Sequence, residues 1–344
     1  MNIALTFNLK PSLIKKNEED LHIEYDSIET INNLKEAIEA NGHKCILIEA
    51  NEEAYINLKK NREKIDFVFN FAEGIEGRSR ESQIPIFCEM LKIPYLGPDP
   101  LTSGIILNKA RTKEILGYYN IPTPRFQIMK NENENLLLEF PVLVKAIAEG
   151  SSKGLNNKNL VNNENELRNV VRRIIKRYKQ EAIVEEFLDG EEFTVSIIGN
   201  ENPIILPIVE IRFHHLPDHL NNFDSYEAKW IYDNPKNNKE ADPLICPAEI
   251  DRDLEEKIKE VSLKTFRVLD CKDWARIDIR LDKNKIPNVL EVNTPVGLIK
   301  DPKENSRMPR AAYTLGWSYE KLVGEILNAG LKRWKIKTKL AIGR

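Results

Sequence analysis

The sequence is most informative at Leu143-Val144-Lys145 and at Glu149-Gly150-Ser151-Ser152-Lys153-Gly154-Leu155. These residues predict a strand that delivers a lysine, followed by a loop of small residues. Backbone N–H groups of such a loop can close on phosphate oxygens while the lysine supplies a point charge, as a triphosphate requires. The lysine precedes the loop, so the pattern is not a Walker P-loop. Taken alone, the stretch is also compatible with an ordinary hairpin turn.

A pair of strands is predicted at Ala275-Arg276-Ile277-Asp278-Ile279-Arg280 and Val289-Leu290-Glu291-Val292-Asn293. The two-residue period of a strand places the charged residues of the first segment on one face, and Glu291 and Asn293 on one face of the second. Oxygen atoms from Asp278 and from these two residues are the ligands that Mg2+ prefers when it also holds nucleotide phosphates. A solvated sheet face with cross-strand Arg–Glu pairs is the alternative.

The third informative stretch is an apolar strand that ends in acidic residues around a glycine turn, Ile183-Val184-Glu185-Glu186-Phe187-Leu188-Asp189-Gly190-Glu191-Glu192-Phe193. The edge of such a strand can present backbone groups to a purine, and its carboxylates can accept hydrogen bonds from ribose hydroxyls. Unaided, the stretch also fits a simple strand and hairpin.

Composition places the chain among globular proteins. It has 344 residues, 41% hydrophobic and 31% charged, and its 51 basic and 54 acidic side chains give a net charge of −3. This near balance argues against nucleic acid as a partner. The four scattered cysteines, which include no C-x-x-C pair, indicate neither a disulfide framework nor a zinc site. We find no signal peptide and no membrane span in the sequence, so we expect a cytoplasmic protein.

Short apolar runs alternate with stretches of helical period, which is typical of α/β architecture. Strands are predicted at 3–7, 45–49, 66–71, 142–146, 182–187, 193–198, 205–211, 275–281 and 288–292. Helices are predicted at 28–41, 82–91, 100–119, 164–179, 252–269 and 319–329. The first helix is expected to begin with Asp26 and Glu29 as a capping pair.

Two further segments lie outside this pattern. The polar stretch from His214 to Pro243 has no clear period, and a loop of about thirty residues in a compact protein is usually a lid or a binding loop. Its three histidines, at 214, 215 and 219, are expected at the surface. The basic run from Lys332 to Lys339 is expected to be a solvated end of the chain.

Taken together and in this order, the three informative stretches resemble the ATP-grasp superfamily, and within it the D-alanine:D-alanine ligase branch. The resemblance runs from Asp66 to Ile326. Further matching blocks are Val68-Phe69-Asn70 with Glu73-Gly74, Gln83, Leu91 to Gly97, Asn108-Lys109 with Thr112-Lys113, Tyr226-Glu227-Ala228-Lys229, Cys246-Pro247-Ala248, Asn293-Thr294, and Ser306 with Pro309 and Ala311-Ala312.

The resemblance implies a fold of three lobes with the nucleotide held between the central and C-terminal lobes. The expected domains are an N-terminal α/β domain at 1–105, a central lobe at 106–190, a C-terminal lobe at 191–332 with a lid at 214–243, and a basic tail at 333–344. Relatives are often dimers, so a homodimer is compatible with the resemblance.

Residues that match the family's nucleotide site imply a set of ligands for ATP. The phosphates would be held by Lys109, Lys145, Ser151, Ser152 and Lys229. Adenine and ribose would be held by Glu185, Glu192 and the strand backbone near Phe187 and Leu188. The choice of ATP over GTP rests on the resemblance alone.

The resemblance also implies the reaction. The first substrate's carboxylate attacks the γ-phosphate to form an acyl phosphate, and an amine then displaces phosphate. Asp278, Glu291 and Asn293 match the ligands of two Mg2+ ions, for which Mn2+ can substitute. The implied catalytic residues, which stabilise the oxyanion of the tetrahedral intermediate or lie beside it, are Arg276, the backbone N–H of Gly297, and Ser151.

The sequence departs from the family where the amino-acid substrates bind. Family members open with a Gly-Gly-x-Ser-x-Glu-His turn whose glutamate helps hold the first D-alanine's amino group, and residues 3–10 carry no such turn. The usual Leu-His-Gly is Ala72-Glu73-Gly74, and the acidic loop after it becomes Gly77-Arg78-Ser79-Arg80-Glu81. In the lid, the usual Ala-Lys-Tyr is Ala228-Lys229-Trp230, so a tyrosine that closes a hydrogen-bond relay is lost.

These departures imply that the chemistry is kept and the first substrate is changed. Arg78 and Arg80 add two cations, which fits a more acidic substrate, unless they pair with Glu76 and Glu81 at a helix start. The residues expected to contact substrate are Glu73, Arg78, Arg80, Trp230, Ser306 and Arg307.

Three functions follow from these observations. The first is an ATP-dependent carboxylate–amine ligase with a substrate pair other than, or broader than, two D-alanines. The near alternative is an authentic D-alanine:D-alanine ligase of cell-wall synthesis. The third, of another class, is a non-catalytic ATP-binding module, which would have no need of an arginine oxyanion donor beside its metal ligands.

Overall fold

The computed structural model describes residues 1–11, 22–234, 237 and 242–336. The predicted basic tail at 333–344 falls largely outside these ranges, and so do six residues of the predicted lid. The N-terminal part of the chain contains β1 (Asn2–Phe7), α1 (Ile28–Ala40), β2 (Lys44–Glu49), α2 (Ala54–Lys60), β3 (Phe67–Asn70) and α3 (Gln83–Leu91). Its strands form a parallel sheet in the order β2-β1-β3, as alternating strands and helices require.

Helix α1 shows how local chemistry sets an element boundary. Its N-cap is Ser27, whose side chain accepts a hydrogen bond from the Thr30 N–H at 3.1 Å, so the predicted Asp26 and Glu29 capping pair is wrong. Leu34 and Ile38 lie on the buried face of the helix, and this face packs against the sheet. Asp26 and Glu29 are thereby left at the start of the helix without a role in capping.

The central part of the chain carries an antiparallel sheet. Its elements are α4 (Pro100–Leu107), α5 (Lys109–Tyr118), β4 (Phe126–Met129), β5 (Val142–Ala146), β6 (Leu160–Val161), α6 (Glu164–Tyr178) and β7 (Ala182–Glu186). The strand order is β4-β7-β5-β6. The single helix predicted at 100–119 is wrong, because Asn108 is extended and its side chain caps α5 by accepting from the Arg111 N–H. This break places Lys109 at the first turn of α5.

The C-terminal part contains the largest sheet. Its elements are β8 (Glu192–Ile198), β9 (Ile204–Ile205), β10 (Val209–Ile211), a helical turn at Glu227–Tyr232, β11 (Leu244–Ile245), α7 (Arg252–Val268), β12 (Trp274–Leu281), β13 (Pro287–Asn293), α8 (Arg307–Thr314) and α9 (Tyr319–Arg333). The order is β11-β10-β8-β12-β13, with β9 beside β8. The strand predicted at 205–211 is divided in two around Pro207, which has no N–H to donate to a ladder.

The N-terminal and C-terminal parts share one hydrophobic core. Phe69 and Phe71 from the first sheet contact the ring of Trp274 at the start of β12, with centroids 6.1 and 6.5 Å apart. Arg333, at the end of α9, donates to the carboxylate of Asp273 and to the carbonyl oxygen of Tyr95. These contacts hold the parallel sheet beside β12 and β13, where the predicted metal ligands lie. Across the described ranges, no helix is both long enough and apolar enough to cross a membrane.

Candidate active site

A deep cleft lies between the central sheet and the C-terminal sheet. It contains about 750 Å³ of open space. Strands of both sheets contribute to its walls, and so does the loop at residues 149–155, which we call the glycine-rich loop. Among the predicted site residues, the cleft is lined by Lys109, Lys145, Ser152, Glu185, Phe187, Leu188, Glu192, Asp278 and Glu291. The structure thus brings together residues that are up to 182 positions apart in the chain, counted from Lys109 to Glu291.

Two lysines and one glutamate form a buried charge cluster on the cleft wall. Glu185 on β7 pairs with Lys145 on β5 at 2.8 Å and with Lys113 on α5 at 3.2 Å. Although burial opposes ionisation, the two lysines lower the pKa of Glu185 to about 2. Burial lowers the pKa of Lys113 to about 8. Both oxygens of Glu185 are therefore engaged by lysines, and sequence reasoning did not assign Lys113 to the site.

Glu192, the second acidic residue predicted to bind adenosine, also has a cationic partner. Glu192 accepts from Arg280 Nη1 at 3.0 Å, and the guanidinium lies 5.0 Å from the centroid of the Phe187 ring. Burial raises the pKa of Glu192 to about 7. Arg280 shares a strand face with Arg276 and Asp278, and this alternation is the sequence signal that could have added it to the nucleotide site.

The predicted metal ligands occupy neighbouring positions on β12 and β13. Asp278 lies opposite Glu291, and Asn293 lies opposite Arg276. Asp278 accepts two hydrogen bonds from Arg276, at 2.9 and 2.7 Å, and one from Asn293 Nδ2 at 3.0 Å. Glu291 pairs with Lys109 at 3.1 Å.

The chemistry of this donor set fits a hard divalent cation. Burial opposes ionisation of both carboxylates. Arg276 nevertheless holds the pKa of Asp278 below its usual range. Lys109 likewise holds the pKa of Glu291 below its usual range. Two ionised carboxylates and an amide oxygen on adjacent strands provide the ligand type that Mg2+ takes when it also binds phosphates.

The glycine-rich loop adopts a conformation that few residues accept. Ser151 and Ser152 both have positive φ, 49° and 59°. The Gly150 N–H donates to Glu24 Oε1 at 2.8 Å, and a Cβ on Gly150 would lie 2.7 Å from the same oxygen. A side chain at position 150 would therefore displace the Glu24 carboxylate from the loop.

The predicted lid contacts this loop. Ser152 Oγ donates to the carbonyl oxygen of Asp224 at 2.8 Å, and Trp230 Nε1 donates to the carbonyl oxygen of Ser151 at 3.0 Å. His215, which was expected at the surface, is mostly buried and lies 2.6 Å from Asp233. The lid is thereby joined to the loop through hydrogen bonds to backbone carbonyls, and not through the tyrosine hydroxyl that the family uses and this sequence lacks.

A second and larger space, which we call the substrate chamber, opens beside the cleft. It contains about 1880 Å³ of open space between the N-terminal sheet, the lid and the segment after β13. Among the predicted site residues it is lined by Glu73, Ser151, Lys229, Trp230, Arg276, Asn293, Gly297, Ser306 and Arg307. Burial lowers the pKa of Lys229 to about 8. The chamber thus combines the predicted catalytic residues with most of the predicted substrate residues.

Arg78 and Arg80 do not offer free cations to a substrate, contrary to our expectation. Arg80 Nη2 donates to both oxygens of Glu24, each at 2.8 Å, and Nη1 donates to the Ala148 carbonyl oxygen. Arg78 pairs with Glu181 at 3.1 Å, and half of its side chain is exposed. Neither arginine lines the cleft or the chamber. They pair with distant residues rather than with neighbours at a helix start, so the argument for an acidic substrate loses its basis.

Glu24 is the residue that sequence reasoning missed in the chamber. It is 8% exposed and lies between Arg80 and the glycine-rich loop, and Lys153 is 3.8 Å away. Arg80, followed by Lys153, lowers the pKa of Glu24 against the opposing effect of burial. No motif marks this glutamate, because its partners lie 56 and 126 residues away in the chain.

The far side of the chamber carries a serine and a buried arginine. Ser306 Oγ accepts from the Ile299 N–H at 3.0 Å and donates to the Gly297 carbonyl oxygen at 3.2 Å. Arg307 is 4% exposed and pairs with Asp224 at 2.7 Å, while its Nε has no hydrogen-bond partner among the described residues. Asp224, another residue without a sequence signal, lines the nucleotide cleft, so this pair joins the two spaces.

Known proteins share both the sequence and the fold of this chain. The family model described as D-ala D-ala ligase C-terminus matches residues 118–328. The uncharacterized protein y4sG of Sinorhizobium fredii is 34% identical over 305 residues, which cover 87% of this chain and 86% of that protein. The D-alanine--D-alanine ligase of Carboxydothermus hydrogenoformans is 33% identical over 317 residues, with 89% and 94% covered.

Solved structures of D-alanine--D-alanine ligases superpose on this chain. The D-alanine--D-alanine ligase from Bacillus anthracis superposes with a TM-score of 0.72 at 26% identity, over 97% of this chain and 99% of that one. A structure of that enzyme in complex with ATP superposes with a TM-score of 0.69 at 25% identity. The fold class and the resemblance inferred from the sequence are therefore confirmed. The chain belongs to the D-alanine:D-alanine ligase family, with the ATP-grasp fold and the ATP-dependent carboxylate–amine ligase activity of that family.

Proposed function

We propose that this ligase joins a carboxylate to an amine through an acyl phosphate, with a substrate pair other than, or broader than, two D-alanines. The observation that carries the proposal is the position of Arg276. Its guanidinium lines the substrate chamber and donates to Asp278, which lines the nucleotide cleft. The nucleotide cleft and the substrate chamber therefore meet at Arg276, the proposed oxyanion donor.

The reaction then proceeds in two steps. A carboxylate oxygen of the first substrate attacks the γ-phosphorus of ATP, and ADP leaves. The amine nitrogen of the second substrate attacks the acyl carbon, loses a proton, and phosphate leaves. Arg276 and the Gly297 N–H stabilise the oxyanion between attack and departure, because they donate to the oxygen on which charge develops.

The cofactors of the proposal are ATP and two Mg2+ ions, which Mn2+ can replace. Lys109, Lys145, Ser151, Ser152 and Lys229 hold the phosphates, and the segment from Glu185 to Glu192 holds the adenosine. Asp278, Glu291 and Asn293 would hold the metal ions, whose charge offsets that of the phosphoryl group during transfer. The lid at 214–243 closes over the site and excludes water from the acyl phosphate.

The substrates are small amino-acid-like molecules. Ser306 and Arg307 receive the carboxylate of the amine substrate, because both line the chamber and Arg307 provides a positive charge there. Arg310 pairs with Asp242 and does not line the chamber. Glu73 and Trp230 lie on the side of the first substrate. Trp230 can donate one hydrogen bond and accept none, which supports a first site unlike that of the family's D-alanine.

Phosphate release tests the proposal. MgATP is supplied with L-, D-, diamino- and dicarboxylic amino acids, singly and in pairs, and ligation products are identified by mass. We expect release with one pair that requires both members and stops when EDTA removes the metal. Release with D-alanine alone, and with no other amino acid, would identify an authentic D-alanine:D-alanine ligase of cell-wall synthesis. Tight ATP binding without release across the panel would favour a non-catalytic module. The cytoplasmic location and a homodimer belong to the same proposal.

A further inference from the structure

Arg280 is a charged residue of the nucleotide cleft to which the phosphate and metal ligands of the proposed function give no role. It lies near the end of β12, lines the cleft and is only 4% exposed. Its guanidinium donates to two partners, a carboxylate on the neighbouring strand β8 and a backbone carbonyl of the lid. Burying a charge costs free energy unless it is paired, so these partners indicate what the residue does.

The first partner is the carboxylate that we propose for ribose. Arg280 lies opposite Glu192 in the register of β12 and β8, and its Nη1 donates to Glu192 Oε2 at 3.0 Å. Glu192 lines the cleft, and its other oxygen, Oε1, has no hydrogen-bond partner among the residues that the structure describes. Arg280 therefore fixes one oxygen of this carboxylate and leaves the other available to a hydroxyl group.

The charge of Arg280 also acts on this carboxylate. Burial raises the pKa of Glu192 to about 7, and Arg280 is the cation that opposes this effect most strongly. Asp224 and Asp278 also raise the pKa of Glu192, and Arg307 lowers it. A hydroxyl group donates a stronger hydrogen bond to a carboxylate than to a neutral carboxyl group, so a guanidinium at this position favours ribose binding.

The second partner is the lid. Arg280 Nη2 donates to the carbonyl oxygen of Asn222, which lies within the lid at 214–243. The next residue, Phe223, is 2% exposed and packs its ring against that of Phe187, with the centroids 6.2 Å apart. The guanidinium of Arg280 lies 5.0 Å from the centroid of Phe187. One side chain thus contacts the lid, this aromatic pair and the carboxylate proposed for ribose.

We propose that Arg280 makes closure of the lid depend on the ribose of the nucleotide. As a positioning residue, it holds Glu192 for a ribose hydroxyl and holds the lid through the Asn222 carbonyl oxygen. A planar guanidinium suits this role because it directs separate N–H groups toward two acceptors and can lie over an aromatic ring. The inference rests on the proposed function, because it assumes that the cleft binds ATP with its ribose at Glu192.

Nucleotide analogues test the ribose contact without any amino-acid substrate. Binding of ATP, 2′-deoxy-ATP and 3′-deoxy-ATP, each with Mg2+, is measured by calorimetry, and inorganic tripolyphosphate is the probe for the phosphate part alone. For the wild type, we expect a Kd about tenfold higher for at least one deoxy analogue, as loss of a hydrogen bond to a charged group predicts. Equal affinities for the three nucleotides would overturn the inference.

Arg280→Met removes the charge and the two hydrogen bonds. Discrimination between ATP and that analogue should fall to about twofold, while the Kd for tripolyphosphate changes by no more than about twofold. Arg280→Lys keeps the charge and should retain discrimination of about fivefold. Arg212→Met is the matched control, because Arg212 also pairs with a strand glutamate, Glu210, but lines neither the cleft nor the chamber. Undiminished discrimination in Arg280→Met would overturn the inference.

Proteolysis of the lid provides the second criterion. With both nucleotides at saturating concentration, ATP should protect the wild-type segment at 214–243 about fivefold more than the deoxy analogue, because only ATP engages Glu192 fully. Arg280→Met should abolish this difference, and Arg212→Met should keep it. Equal protection of the wild type by the two nucleotides would show that the ribose does not control the lid. If neither ATP nor tripolyphosphate binds, the proposed function itself fails, which is a different result.

Discussion

The nucleotide cleft and the substrate chamber differ in how completely their charged groups are paired. In the cleft, ionised groups meet partners on adjacent elements, as Glu185 does with Lys113 and Lys145, and Glu192 with Arg280. In the chamber, Asp26 and Glu73 face open space with no partner among the described residues. The charged groups of the cleft are therefore paired in the free protein, whereas the chamber contains carboxylates without a partner among the described residues.

The difference has a structural cause. The charges of the cleft stand largely on paired strands, whose register places Asp278 opposite Glu291. Those of the chamber stand on loops and helix starts contributed by separate parts of the chain. Loops accept substitution more readily than paired strands, so substrate choice can change while the phosphoryl chemistry is kept.

The largest expected effect is on the residue where the two regions meet. Arg276→Ala should lower kcat about 100- to 1000-fold, because it removes a donor to the oxyanion of the tetrahedral intermediate. ATP affinity should change far less, as measured by calorimetry. Arg172→Ala, at an exposed arginine of α6 paired with Glu132, is the control and should keep full activity. A loss of kcat below tenfold in Arg276→Ala would assign the oxyanion to another donor.

The next effect tests whether the cleft is held by its charge cluster. Glu185→Gln leaves two buried lysines without their carboxylate and should lower the free energy of unfolding by about 3 kcal/mol. The adjacent Glu186→Gln, which loses only a pair with the exposed Arg125, should cost less than about 1 kcal/mol. Urea unfolding at pH 7 measures both.

The same cluster gives a pH dependence with a defined sign. The pKa of Glu185 is lowered to about 2 in the folded protein, from the 4.5 of an unperturbed glutamate. Its contribution is therefore fully present above pH 4.5 and is lost as the pH falls from 4.5 toward 2. The stability difference between wild type and Glu185→Gln should shrink in that window. A difference that stays constant down to pH 3 would show that the ion pairs do not stabilise the cleft.

A smaller effect concerns the lysine that the lid contributes. Burial lowers the pKa of Lys229 to about 8, so the free protein loses this positive charge as the pH rises through 8. We expect the Kd for ATP to increase about tenfold between pH 7 and pH 9, since phosphate binds the charged form. Lys229→Arg keeps its charge and should show a much smaller change over this range, because only other groups such as Lys113 then titrate near pH 8. Parallel profiles for both proteins would place Lys229 away from the phosphates.

The smallest effect tests the altered lid contact. Trp230→Phe removes the hydrogen bond from the indole to the Ser151 carbonyl oxygen and should weaken lid closure by about 1 kcal/mol. Limited proteolysis of the segment at 214–243 should show strong protection by nucleotide in wild type and roughly fivefold less in the variant. Trp334→Phe, outside both spaces, serves as the control. Equal protection in Trp230→Phe and wild type would mean that the indole does not close the lid.

The three informative stretches of the sequence were sufficient to identify the fold and most of the cleft. Lys145, Glu192, Asp278 and Glu291 line one space, as the family resemblance implied. The chamber was predicted less well. Arg78 and Arg80 were assigned to it by their place in a family motif, yet their side chains pair elsewhere. The motif defines where a backbone segment lies, but not which carboxylate its side chains will meet.

Strand alternation is a local property, so residues 275–293 already specify that an arginine, an aspartate, a glutamate and an asparagine share one surface. The grouping of carboxylates on the N-terminal side of the chamber does not follow from any local sequence pattern. Glu24, Glu73 and Glu81 come together only because the hydrophobic core shared by the first and last parts of the chain closes the N-terminal sheet against β12. The packing of that closed space also decides which of these carboxylates has a partner, as Glu24 does in Arg80.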